Sequence, residues 1–181
     1  GREWRRGSYV GGALKGWADI EQFIPPLRLE ERTPPEFMEG LKDRHPDKMH
    51  ALCIHMGPFG LTMESMGFDH FFYTLFDDRK LVVEVLNRRT EWFIELCRYE
   101  QELGADFVVM GDDVAFKNST FVSPADFREL AIPCYKRICD ALDIPVIWHS
   151  DGFVEPLIEM ALEAGIVGMH ALEPLAGNDL G

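Results

Sequence analysis

Beyond residue 50 the chain repeats a rhythm: a short apolar run, a loop rich in Gly, Asp and Pro, then an amphipathic stretch. Ala51 to Met56 reads as a strand that ends at Gly57-Pro58-Phe59. The aromatic-rich segment Phe68 to Phe76 is expected to pack in the core beneath the following helix, with a lid over an apolar ligand as the sharper alternative. Residues 78 to 103 set Leu81, Val85, Trp92, Leu96, Tyr99 and Leu103 at near-helical spacing, and Gly104 stops that helix. Asp106 to Met110 is the next strand, followed by the loop Gly111-Asp112-Asp113. Ser123-Pro124-Ala125-Asp126 supplies a cap, a proline at the first helical position and an acid three residues after the cap, so a helix starts there and runs to about Leu142. Ile144 to Trp148 is a third strand leading into His149-Ser150-Asp151-Gly152. A helix from about Val154 ends before Gly165, and Val167 to Leu172 is a fourth strand.

Repeated strand and helix units with short junctions indicate a parallel sheet. Glu102-Leu103-Gly104-Ala105-Asp106 and Glu163-Ala164-Gly165-Ile166-Val167 are two such junctions and resemble each other. No glycine-rich phosphate loop follows any strand, and polar residues collect just past the strand ends; both features favour a barrel over an open doubly wound sheet. A full eight-stranded barrel takes roughly 250 residues. The chain has 181. The expected fold class is therefore α/β, a TIM-type (β/α)8 barrel present in part, with residues 51–181 as the partial barrel. Residues 1–50, broken by Pro25-Pro26, Pro34-Pro35 and Pro46, are expected to be an irregular wrapping segment with one short helix near Pro34 to Lys42. The ending, Gly177-Asn178-Asp179-Leu180-Gly181, reads as a loop just past a strand, which fits a piece of a larger barrel.

Composition narrows the function. The net charge of −13 argues against nucleic acid as a partner, because neutralising phosphates takes a basic surface. With 46% hydrophobic and 12% aromatic residues the chain has material for a core, which excludes global disorder. No apolar run approaches the roughly 20 residues that span a bilayer, and Gly1 to Arg6 lacks the apolar stretch of a signal peptide. A cytoplasmic location with no membrane partner is the expectation. Cys53, Cys97, Cys134 and Cys139 form no CxxC pair and are expected to be buried thiols.

The candidate chemistry lies at the strand ends. Asp112-Asp113 follows a strand directly; the plain reading is a helix cap or ion pair, and the sharper one is a catalytic acid or base, since adjacent like charges raise one pKa. On an extended backbone residues two apart face the same side, so His149 and Asp151 converge on one point. That suits a divalent metal, a His oriented by a carboxylate, or simply a partly buried His bonded to its neighbour. Glu173 ends the next strand, where it is either an ordinary loop carboxylate or a third catalytic acid completing the cluster. His55 and His170, placed inside strands, are expected to be satisfied core histidines.

These segments, in this order and spacing, resemble the uroporphyrinogen decarboxylase superfamily, which also contains cobalamin-dependent methyltransferases. The resemblance rests on Gly57-Pro58-Phe59, Gly104-Ala105-Asp106 leading to Gly111-Asp112-Asp113, Ser123-Pro124 with Pro133, His149-Ser150-Asp151-Gly152, and Leu172-Glu173-Pro174 followed by Ala176-Gly177-Asn178-Asp179-Leu180. It implies a TIM-type barrel. True decarboxylases resemble one another in a Pro-Trp-Thr-Leu motif with a tyrosine six residues after the proline, where this chain has Pro58-Phe59-Gly60-Leu61 and Glu64. The methyltransferase branch looks closer. Its implied zinc site is His-x-Cys with a distant Cys; here the second position is Asp151, a harder ligand that widens the choice of metal. The resemblance thus implies methyl transfer between a small-molecule methyl donor and a thiol or a corrinoid carried on a partner protein. The alternatives are decarboxylation of a tetrapyrrole in porphyrin biosynthesis, and a non-catalytic tetrapyrrole-binding or structural barrel.

Overall fold

The structure is a computed structural model that describes residues 2–5, 8–24, 26–54 and 56–179. At the start, β1 (Arg2–Arg5) and β2 (Ser8–Gly12) form an antiparallel hairpin with a register shift between Glu3 and Trp4. Helices α1 (Ile20–Phe23), α2 (Leu29–Arg32) and α3 (Pro35–Arg44) follow. The segment expected to be irregular thus carries a hairpin and helices. Arg2 to Gly12 offers no run of alternating apolar residues, so its pattern hides the hairpin. Pro35 sits in the first turn of α3, where its missing N–H has no intrahelical partner to lose.

The repeating part runs β3 (Ala51–Ile54), α4 (Pro58–Met66), α5 (Phe68–Asp77), α6 (Arg79–Glu102), β4 (Phe107–Gly111), α7 (Pro124–Leu130), α8 (Ile132–Asp140) and β5 (Val146–His149). A 3₁₀ turn at Glu155–Leu157 leads into α9 (Ile158–Glu163), and β6 (Gly168–His170) follows. The helix expected to run unbroken from Ser123 to Leu142 is two helices. Pro133 has no N–H to continue the ladder and sits at the start of α8 instead. Ser123 caps α7 as expected, accepting from the Asp126 amide, and Asp78 caps α6 by accepting from that of Leu81. The fourth strand is shorter than Val167 to Leu172, because Ala171 turns the backbone to φ +57° directly after His170.

Strands β3 to β6 form one parallel sheet in sequence order. Its register aligns Ile54, Met110, Trp148 and Met169 in one row. The first three are buried in the core shared with Phe93 and Leu96 of α6, Phe127 of α7 and Ile138 of α8. Trp148 is fully buried, with Phe127 stacked on it at 5.9 Å and Tyr135 at 5.7 Å. The neighbouring row, Cys53, Val109, Ile147 and Gly168, is exposed or half-buried. A consecutive parallel sheet packed under helices on one face is an arc of barrel wall, and the open row is the face a closed barrel turns toward its axis.

That openness corrects the reading of the cysteines: Cys97 and Cys134 are buried, Cys139 half-buried, and Cys53 exposed. The aromatic segment divides likewise. Phe71 and Leu75 are core, whereas Tyr73 and Phe76 face outward. Among the described residues no helix is long and apolar enough to cross a membrane.

Candidate functional site

Polar side chains gather where β4, β5 and β6 end. The register pairs Gly111 with His149 and His149 with His170, so the two imidazoles stand side by side on the open face. One step further, Asp112 and Asp113 part company. Asp112 is fully buried and points back into the protein, whereas Asp113 is half-exposed beside His149.

Asp112 holds the start of α4. Its carboxylate accepts from the backbone amide of Phe59 at 3.1 Å, from that of Gly60 at 2.5 Å, and from the Tyr135 hydroxyl at 2.9 Å. Glycine is required on both sides of this contact: a Cβ on Gly57 would lie 2.5 Å from the Asp112 carboxyl carbon, and one on Gly60 2.8 Å from its oxygen. Burial pushes the Asp112 pKa up to about 7; the three donors oppose that rise and the neighbouring Asp113 charge adds to it. Burial raises the Tyr135 phenol well above its ordinary range, with the Asp112 charge beside it, so it remains a donor. The Trp148 indole donates to the Asp112 carbonyl, and the Asp112 amide donates to the His149 carbonyl, locking the ends of β4 and β5 together.

Asp113, His149 and Asp151 converge. His149 Nε2 lies 3.8 Å from Asp113 Oδ1 and 4.0 Å from Asp151 Oδ1, and one donor atom from each of the three falls within 4.8 Å of the others. The Asp151 amide donates to Asp113 Oδ1 at 3.0 Å, which ties the two loops. On its other side His149 Nδ1 meets His170 Nδ1 at 2.7 Å. The expectation of a core histidine at position 170 is therefore corrected: His170 is exposed at the sheet edge and bonded to His149. His55 lies outside the described residues.

Glu173 approaches from the loop after β6, where it accepts from the Gly152 amide at 2.7 Å; it braces the Asp151 loop from outside the converging trio. Sequence reasoning passed over Asn178 as a working residue. Buried, it accepts from the amides of Val154 and Glu155 and donates to the carbonyls of Gly152 and Glu173, stitching the loop after β5 to the loop after β6. Its signal was present only as one member of the Ala176 to Leu180 motif. Gly152 is held at φ +86° with a Cβ position 2.5 Å from the Phe116 carbonyl, so the loop after β4 packs directly on the loop after β5.

The trio could hold a divalent cation. Tetrahedral zinc with bonds of about 2.0–2.2 Å spaces its ligand atoms about 3.3–3.6 Å apart, somewhat less than the 3.8 and 4.0 Å from His149 Nε2 to the two carboxylates, so small side-chain movements would close the group on an ion. One imidazole and two carboxylates are borderline-to-hard donors, at home with zinc, manganese or iron, and three protein ligands leave a position open.

A parallel barrel arc with charged and imidazole groups at the carboxyl ends of its strands defines a TIM-barrel protein whose candidate site lies where barrel enzymes carry theirs. The family model for uroporphyrinogen decarboxylase (URO-D) matches residues 5–174, and the chain belongs to that family. It is 26% identical over 148 residues to the chloroplastic uroporphyrinogen decarboxylase 2 of Arabidopsis thaliana, across 75% of this chain and 36% of that protein. A methyltransferase from Methanosarcina mazei superposes with a TM-score of 0.75 at 21% identity, over 90% of this chain and 48% of that one, and shares its fold. The chain thus spans about a third of the curated relative and about half of the solved one.

Proposed function

We propose that the protein is an enzyme of the URO-D superfamily that transfers a methyl group between a small substrate and a thiol or corrinoid acceptor at a divalent-metal site. The observation that carries this reading is the convergence of Asp113, His149 and Asp151 on one point at the strand ends. The fold likeness to a methyltransferase supports it. In this reading His149, Asp151 and Asp113 hold the cation, with zinc the first candidate. When bound, the cation supplies a Lewis acid that polarises the substrate or lowers a thiol pKa so that thiolate is present at neutral pH. Asp113, half-exposed beside His149, is the member of the Asp112-Asp113 pair that can reach a substrate there and handle its proton. Asp112 acts from behind as a positioning residue, and Glu173 keeps the Asp151 loop in place. A corrinoid acceptor would arrive on a partner protein.

The second reading, decarboxylation of an acidic tetrapyrrole, draws on the match to the Arabidopsis decarboxylase. It asks for cations to hold the substrate carboxylates. The loop sequences 112–123, 150–155 and 171–179 contain one basic residue, Lys117, against six acidic ones, Asp112, Asp113, Asp151, Glu155, Glu173 and Asp179, which favours the first reading.

The test is zinc titration of the purified protein, followed by methyl transfer from methylcobalamin to a small thiol. Wild type is expected to bind zinc and His149→Ala to lose it. Asp151→Cys is expected to bind zinc at least as tightly, because thiolate is a better ligand for it. A wild type without zinc affinity, or a His149→Ala variant that binds as wild type does, overturns the metal reading. Turnover of uroporphyrinogen without methyl transfer would establish the second reading instead.

A further inference from the structure

The two imidazoles at the end of the sheet make a contact that holds one proton between them, carried by one ring or the other. His149 Nδ1 and His170 Nδ1 are 2.7 Å apart, with ring centroids at 4.9 Å and planes tilted by 37°. Two bare lone pairs repel at that distance and two N–H groups collide, so one proton lies between the nitrogens. The opposite nitrogen of His149 faces Asp113 and Asp151 at 3.8 and 4.0 Å, beyond hydrogen-bond length. Among the described residues, the ring hydrogen bond of His149 is therefore the one to His170. The sheet builds this contact: the register sets His149 and His170 directly opposite each other, and Ala171 takes a left-handed φ of +57° just after. A left-handed backbone at a residue other than Gly, Asn or Asp is rare, and such positions cluster where a side chain must be aimed.

We propose that His170 is a positioning residue that accepts the Nδ1 proton of His149, fixing the tautomer whose Nε2 lone pair points at Asp113 and Asp151. This rests on the metal-site reading and adds to it the residue that chooses the ligating nitrogen. A ligating imidazole donates its other N–H to a carboxylate, carbonyl or water, which orients the ring and makes it more basic, and a ring nitrogen with a free lone pair can take the same place. His170 supplies that acceptor from the neighbouring strand. Without a cation the two carboxylates favour a proton on Nε2 instead, so the tautomer of the metal-free protein measures how firmly His170 holds the proton on Nδ1.

Two substitutions separate hydrogen bonding from ring packing. His170→Phe keeps a flat ring against His149 and removes the acceptor; His170→Gln removes the ring and keeps an acceptor oxygen. Zinc titration is expected to show about 10- to 100-fold weaker binding in His170→Phe. His170→Gln is expected to stay within a few-fold of wild type. The reverse order, with Phe binding as wild type and Gln weakened, would make the contact simple packing and overturn the proposal. Long-range ¹⁵N–¹H spectra of the metal-free protein supply an independent readout. The proton of His149 is expected on Nδ1 in wild type, and its loss from that position in His170→Phe is the supporting result. A His149 protonated on Nε2 in the wild type overturns the proposal. Because the spectra need no metal, a wild type that shows the Nδ1 tautomer and fails to bind zinc would sink the metal reading and leave the role of His170 standing.

Discussion

Asp112 offers the sharpest test of how this site is held. Its carboxyl group is fully buried, and its pKa stands near 7 against 3.8 for an exposed aspartate. The folded protein therefore holds a proton that the unfolded chain has already released between those values. The stability that this proton brings is fully present below about pH 4 and is lost as the pH rises through 7. A shift of about three units corresponds to roughly 4 kcal/mol in total, of which roughly 3 kcal/mol falls between pH 5 and pH 8. Other carboxylates oppose this trend; Asp126, bonded to Ser123 and Arg79, has a lowered pKa and gains stability as it ionises. The comparison must therefore be with Asp112→Asn, which removes one titration and leaves the rest. Urea unfolding followed by tryptophan fluorescence at pH 5, 6, 7 and 8 gives the difference in stability. Wild type is expected to lose ground to the variant by close to one proton's slope, about 1.4 kcal/mol per pH unit, up to pH 7 and then level off. A difference that stays flat over that range would refute the reasoning: the amides of Phe59 and Gly60, the Tyr135 hydroxyl and the dipole of α4 would then offset burial completely.

Three further outcomes follow from the same contacts. Asn178→Ala removes four hydrogen bonds from a buried side chain and is expected to cost roughly 2–3 kcal/mol in chemical denaturation. It is also expected to weaken zinc binding through the freed Asp151 loop, and unchanged stability would mean that water replaces the amide. Gly152→Ala adds a Cβ 2.5 Å from the Phe116 carbonyl at a left-handed φ and is expected to cost about 2 kcal/mol or more; a loss under about 0.5 kcal/mol would show that the loop after β4 yields easily. The free edges of β3 and β6, with the half-open row of Cys53, Val109 and Ile147, are expected to make the 181-residue chain self-associate in light scattering. A monodisperse monomer with a cooperative thermal transition would show instead that this arc stands alone.

The barrel was legible because its signals are local. Ser123 before Pro124 starts a helix wherever it occurs, and apolar runs between glycine-rich junctions mark buried parallel strands whatever lies beside them. Signals that depend on distant partners were silent. Helix α4 begins at a proline after a glycine, which alone reads as a turn; what anchors that beginning is Asp112, more than fifty residues later in the chain. Pro133 marks the break before α8, but a proline is equally at home in the first turn of a helix, so the letter alone does not say that one helix ends at Leu130 and another begins at Ile132. Exposure of Cys53 depends on whether strands lie across the barrel axis, a fact that no window of sequence around residue 53 contains.

For the site, the two-residue spacing predicts that His149 and Asp151 face one side; His149 ends β5, and Asp151, in the loop just after it, lies 4.0 Å from the imidazole. The remaining assignments needed register between strands. Asp113 stands beside His149 because β4 and β5 pair Gly111 with His149, and His170 reaches the same imidazole because β5 and β6 pair 149 with 170. A shift of either strand by one residue would turn its side chain into the helix layer and dissolve the group. Thus Asp112 and Asp113, indistinguishable as letters, receive opposite surroundings: alternation sends one inward to hold α4 and the other outward to the imidazole. The division of labour is a consequence of that alternation. The buried member fixes where β4 ends, and because its amide and carbonyl are bonded to β5, the exposed member inherits a defined position opposite His149.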